Sequence, residues 1–259
     1  GQLTGRMNSA NAIPWLQRAI AQNHGEAKTL LAELNSKKQS NLAYMKSIMA
    51  AAQRKEEAKK TAKRKAQMKA LDTALRRKDW KTALPILQPF AEQGYPRYER
   101  ILGDFHLRGR AMPKDAKAAA KWYKLAANHG DMHGQVLLSM LYYEGTGVAK
   151  DLKAALKWSV LAAKQGNGRS AHKVAAMYQQ GHGTAVDKKE AVAWLTKAVE
   201  YEFEAAYYDL AEMYKKGEGT PRDYKKAWSL LLRARNKFQH SGRGAFEMGR
   251  MKEQGQGLL

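Results

Sequence analysis

Seven histidines are the residues best suited to acid–base or metal chemistry: His24, His106, His129, His133, His172, His182 and His240. Of these, His129 and His133 stand four apart with Asp131 between them. Gly130 and Gly134 break that stretch, so the two flank a turn instead of sharing a helix face, and no fourth ligand is evident. The spacings His-Glu-x-x-His, Gly-x-x-x-x-Gly-Lys-Ser/Thr and Gly-x-Ser-x-Gly do not occur. The Gly-x-Gly pairs do not follow strands, so they punctuate loops and do not cradle a dinucleotide. With no cysteine in the chain, thiolate metal sites and a disulfide framework are excluded. The reading is a protein that is not an enzyme, with no cofactor and no metal.

The chemistry that remains is charge. The formal net charge is +22, which implies affinity for something acidic. Lys81, Lys117, Lys153, Lys189 and Lys225 recur every 36 residues, and Lys121 and Lys157 lie one helical turn beyond two of them. Repeated along a stack, one exposed position becomes a stripe. The candidate partner-binding residues are therefore Lys117, Lys121, Tyr123, Lys124, Lys153, Lys157, Lys189 and Lys225. The alternative is plain solvation, since lysine is a good helix former on a wet face.

A stripe needs elements that hold its members in register. Asp79, Asp115, Asp151, Asp187 and Asp223 share the 36-residue step. Each precedes an apolar-periodic run whose free backbone N–H groups its carboxylate can cap. Four residues later stand Ala83, Ala119, Ala155, Ala191 and Ala227, with Trp122, Trp158 and Trp194 three beyond the middle three. A Trp at a fixed repeat position is read as core. Gly94, Gly130 and Gly166 are available for positive φ at the turn. Tyr142, Tyr178 and Tyr214 close the second helix, and Gly145/Gly147, Gly181/Gly183 and Gly217/Gly219 form the loop to the next unit. The unit is a helix hairpin, which cannot bury its apolar stripe alone and must stack.

This pattern, clearest in "LYYEGTGVAKDLKAALKWSVLAAKQG", resembles the Sel1-like repeat. The resemblance implies an all-α fold, a right-handed α/α solenoid related in shape to tetratricopeptide arrays. It extends from Leu71 to the end, with a weaker echo near the N-terminus in "IPWLQRAIAQNHGEAKTLLAELN", where Trp15, Ala19, Ala21 and Gly25 follow the same logic. Several positions depart from it. Ile86 takes the Trp position in the first unit, with Pro85 inside the expected helix. Glu202 replaces the turn glycine of the fourth unit, so that turn must differ or be strained. In the last unit Leu230 takes the Trp position while Trp228 stands next to Ala227, and Gly255 and Gly257 imply a two-residue insertion near "KFQHSG".

Residues 36–78 change character. Fourteen Lys and Arg face three acids, about half the total charge. Neither Gly nor Pro interrupts Ala27 to Ala83, so helix is permitted throughout. Leu42, Met45, Ile48, Met49 and Ala52 form a stripe able to pack, but from Arg54 to Lys65 the only apolar residue is Ala. That portion is either a solvated connector or an electrostatic arm. The expected organisation is a partial repeat unit over 1–35, a basic helical connector over 36–70, and about five repeats over 71–259.

No stretch approaches the roughly 20 apolar residues of a membrane helix. The chain opens on Gly1 and closes on "EQGQGLL", inside a repeat loop, so a trimmed piece of a longer protein is expected. Proteins that share the resemblance are mostly bacterial adaptors and scaffolds, many of the periplasm or cell envelope, and some are immunity proteins that neutralise phospholipase effectors of type VI secretion. The resemblance and the charge together imply a periplasmic inhibitor with an acidic protein partner, a toxin effector in the family's manner. The alternatives are an envelope assembly adaptor, nucleic-acid binding through the basic segment, or peripheral contact with an anionic membrane. "KKTAKRK" lacks the interleaved aromatics of a base-stacking platform, which weighs against nucleic acid.

Overall fold

The structure is a computed structural model that describes Pro14, residues 17–18, 20–21, 25–239 and 242–256. Trp15, Ala19, His24, His240 and Gly257 lie outside the described residues. The chain divides into two compact units, residues 1–69 and 70–259.

Helix α1 (Gly25–Arg76) is continuous over 52 residues and runs through the expected boundary at 35/36. Its composition explains this, because Ala, Lys, Gln and Glu are strong helix formers and no Gly or Pro intervenes. In the first unit Ala27 is buried, with Ile20 and Leu31 packed against it. Leu42, Ile48 and Met49 are exposed, so the stripe expected to pack stays largely open. Every side chain from Arg54 to Lys65 is exposed as well.

The second unit holds five helix pairs among its described residues. They are α2 (Trp80–Glu92) with α3 (Pro96–Arg108), α4 (Ala116–Asn128) with α5 (Met132–Glu144), α6 (Leu152–Lys164) with α7 (Gly168–Gln180), α8 (Lys188–Glu200) with α9 (Glu204–Lys216), and α10 (Tyr224–Lys237) with α11 (Arg243–Glu253). From α2 to α11 every pair of consecutive helices packs together, the arrangement of an all-α solenoid. Pro85 and Pro89 are both accommodated within α2, which continues through them.

The cap aspartates start the first helix of every pair. Asp79, Asp115, Asp151 and Asp223 accept from the amides of Thr82, Ala118, Ala154 and Lys226, and Asp187 accepts from both Lys189 and Glu190. Four residues on, Ala83, Ala119, Ala155, Ala191 and Ala227 are fully buried, so the helices meet where the side chain is only a methyl group. Trp194 is buried, whereas Trp122 and Trp158 are half-buried. Helices α5, α7 and α9 run two residues past the tyrosines expected to close them, to left-handed Gly145, Gly181 and Gly217. The tyrosines instead take a loop role: the carbonyls of Tyr142, Tyr178 and Tyr214 accept from the amides of Asp151, Asp187 and Asp223, each at 2.9 Å. This ties the end of one pair to the start of the next.

Gly94, Gly130 and Gly166 have φ of 81°, 85° and 92°, and Glu202 occupies the same left-handed region at 60°. The fourth turn therefore keeps its shape and carries the backbone strain in a residue with a Cβ. Ala111, at φ 56° where later units have Gly147 and Gly183, is a second such position.

The caps predict an acid response. The Thr82 hydroxyl and then its amide hold Asp79 below the ordinary 3.8, and the amides of Ala118 and Lys226 are the main causes for Asp115 and Asp223. A folded-state pKa below the unfolded one gives stability that is present above the unfolded value and lost as pH falls through the folded one. The thermal midpoint is expected to drop below about pH 4, and to drop less steeply in the triple variant Asp79→Asn, Asp115→Asn, Asp223→Asn, because Asn caps without titrating. A calorimetric pH series checks this; parallel curves for the two proteins would refute it.

Candidate protein-binding site

The lysines at the 36-residue step sit two residues after each cap aspartate, in the first turns of α4, α6, α8 and α10. Lys117, Lys153, Lys189 and Lys225 are all exposed, as are Lys121, Lys124 and Lys157 one or two turns further on. Among the described residues none of these seven forms an ion pair. Lys157 does lie over the ring of Trp158, 5.7 Å from its centroid.

What holds the lysines in register is backbone contact between units. A Cβ placed on Gly147 would fall 2.1 Å from the carbonyl oxygen of Ala116 and 2.9 Å from the amide nitrogen of Lys117. On Gly183 it would fall 2.2 Å from the Leu152 oxygen and 2.8 Å from the Lys153 nitrogen, and on Gly219 2.1 Å from the Lys188 oxygen. Each Gly-x-Gly loop thus presses directly on the helix start one unit earlier, beneath a ladder lysine. Only a residue without a side chain allows that approach. Between successive loops runs an open groove bordered by Lys150, Asp151, Lys153 and Thr184.

Tyr123 is a correction. It was expected on the binding surface, but it is fully buried. Its ring lies over Gly103, where an added Cβ would sit 2.6 Å from two ring carbons, and its hydroxyl donates to Asp104 at 2.6 Å. Burial first, and then the Asp104 carboxylate, push the phenol pKa far up, so it stays protonated. The signal was present in the repeat: one and more units later the same position holds Ser159, Leu195 and Leu231, none of them a surface choice at every step. In the other direction, exposed Lys78, Lys114, Lys150 and Arg222 extend the basic stripe one residue before four of the five cap aspartates, the exception being Val186 before Asp187, a periodicity already legible in the sequence. Some of the charge near the stripe is neutralised, since Lys188 pairs with Glu218 at 3.2 Å and Lys226 with Asp223 at 3.5 Å.

Of the histidines, His129 pairs through Nδ1 with buried Glu99 at 2.8 Å, and His172 pairs through Nε2 with Asp209 at 2.6 Å. Among the described residues no three metal-ligating side chains gather.

The model of the Sel1 repeat matches residues 1–24, 98–131, 133–167, 168–200 and 204–237, more than half of the chain. The chain belongs to the Sel1 repeat family, whose members generally mediate protein–protein interaction as non-enzymatic scaffolds. Among solved structures it is similar to a Sel1 repeat protein from Oxalobacter formigenes, at 28% identity and a TM-score of 0.61 over 64% of this chain and 69% of that one. It is also similar to c5321, a protective antigen present in uropathogenic Escherichia coli strains displaying an SLR fold, at 30% identity and a TM-score of 0.63. That alignment takes in 67% of this chain but only 37% of c5321. A search of curated proteins gave no match.

Proposed function

We propose that the chain binds an acidic protein through the lysine ladder of α4, α6, α8 and α10, and that it acts as a periplasmic immunity protein that neutralises a secreted effector of phospholipase type. The observation that carries the acidic partner is the set of exposed lysines that form no ion pair among the described residues, four of them (Lys117, Lys153, Lys189 and Lys225) at one place in successive units. The immunity role and the periplasmic setting are supported by the Sel1 resemblance together with the +22 charge. Charges of this kind steer association more than they set the final affinity.

The test is capture from nuclease-treated native extract, followed by kinetics on what is retained. One acidic protein should be held in stoichiometric amount, and its lipase activity should fall when this chain is added. Reversal of the ladder (Lys117→Glu, Lys153→Glu, Lys189→Glu, Lys225→Glu) should slow association at least tenfold and leave dissociation within about threefold. Unchanged association would refute the ladder. A partner without lipase activity would refute the immunity role and leave an assembly adaptor. The uniformly exposed Arg54–Lys65 stretch supports a second reading, a nonspecific polyanion arm. It predicts that nothing is retained after nuclease and that binding to nucleic acid falls steeply with salt.

A further inference from the structure

One unit differs from its neighbours in what it places between helices. The pair of positions that holds Gly103 and Tyr123, Ala175 and Leu195, or Ala211 and Leu231 elsewhere holds Ser139 and Ser159 here. Both serines are buried, with their hydroxyl oxygens 2.6 Å apart. Ser139 donates to the carbonyl of Ala155 at 2.9 Å, so its oxygen is left to accept. Lys173, reaching over from α7, donates to it at 3.2 Å. The Lys173 ammonium also lies 4.9 Å from the centroid of the Tyr143 ring, and the Tyr143 hydroxyl is 3.0 Å from Nδ1 of His182.

Among the described residues no carboxylate pairs with Lys173. Burial holds its pKa below the ordinary value, and the charge of Glu144 opposes that shift without forming an ion pair. A partly desolvated cation is thus met only by a hydroxyl and the face of a ring. Such an arrangement is costly in isolation and gains most from an anion brought to it. The ladder lysines differ, because they are exposed and water screens their charge.

We propose that Lys173, with Tyr143 and His182 beside it, is the docking site at which the lysine donates to a single carboxylate side chain of the acidic protein partner. This rests on the reading of that partner as acidic, and it assigns a separate part of the binding. The ladder speeds the encounter, and Lys173 slows release, because a pair formed away from water dissociates slowly.

The test uses the full chain labelled with ¹³C at lysine Cε, titrated at low salt with an N-acetylated, C-amidated octaglutamate. The equivalent octaglutamine serves as control. Octaglutamate should shift the Lys173 resonance to saturation and octaglutamine should not. Lys173→Met should weaken octaglutamate binding at least tenfold, Lys173→Arg less, and Lys225→Met under threefold. If octaglutamate binds while the Lys173 resonance stays still, this proposal is overturned and the ladder survives. If octaglutamate does not bind the unmodified chain, the acidic-partner reading and this site fall together. The resonance is read in the unmodified protein, so the result does not depend on a variant that folds.

Discussion

Gly183→Ala is expected to destabilise the repeat array by about 2–5 kcal/mol in urea unfolding. Two costs combine. The φ of 77° belongs to the left-handed region, where a Cβ costs roughly 1–2 kcal/mol. The new carbon would also lie 2.2 Å from the Leu152 oxygen and 2.5 Å from its carbonyl carbon, backbone atoms that no rotamer change can move aside. Relieving the overlap means parting the loop from the start of α6, the contact that joins neighbouring units. In a solenoid, stability is carried by such neighbour interfaces, so the variant should also lose cooperativity and show a shallower denaturant slope. Gly130→Ala is the control. Its φ is 85°, but nothing lies within 4 Å of the added carbon, so about 1–2 kcal/mol is the whole expected loss. Equal losses at the two sites would show that backbone conformation, and not the contact between units, makes these glycines necessary.

The second large effect concerns Gly103 and Tyr123. Tyr123→Leu should cost about 2–4 kcal/mol, since it opens space against Gly103 and removes a hydrogen bond to the Asp104 carboxylate. Gly103→Ala alone should cost about 1–3 kcal/mol by driving a methyl into the tyrosine ring. The double variant recreates the Ala–Leu pair that two later units carry as Ala175 with Leu195 and Ala211 with Leu231. It should therefore be more stable than the sum of the single losses by at least about 1 kcal/mol, a coupling within the range for residues in contact. Strict additivity in a double-mutant cycle would mean that the two positions do not share one packing space.

The cap aspartates, the buried alanines and the left-handed turn were all readable in the spacing, because each is a local requirement: a free amide, a close helix approach, a positive φ. Glu202 was readable as a conflict for the same reason, and it does adopt φ 60°. The lysine stripe followed from periodicity and exposure alone. Tyr123 was misread because it stands next to Trp122 and Lys124 in a chain rich in surface lysine, and its burial depends on the absence of a side chain at Gly103, twenty residues earlier. The ends of α5, α7 and α9 lie two residues beyond the tyrosines expected to close them, since each tyrosine carbonyl's partner is an amide across the loop.

By itself, then, the sequence determined the all-α class, the 36-residue unit, where each first helix begins and the basic character of its surface. These depend on which residue stands at which step, and the step is visible in one dimension. Only the tertiary structure decided which loop glycines meet another backbone, that Tyr123 belongs to the core, and that Lys173 ends on Ser139 and the Tyr143 ring with no carboxylate paired to it among the described residues. Those outcomes depend on contacts between units, where side-chain volumes from separate helices must sum to fill one space, and no periodicity reports that sum.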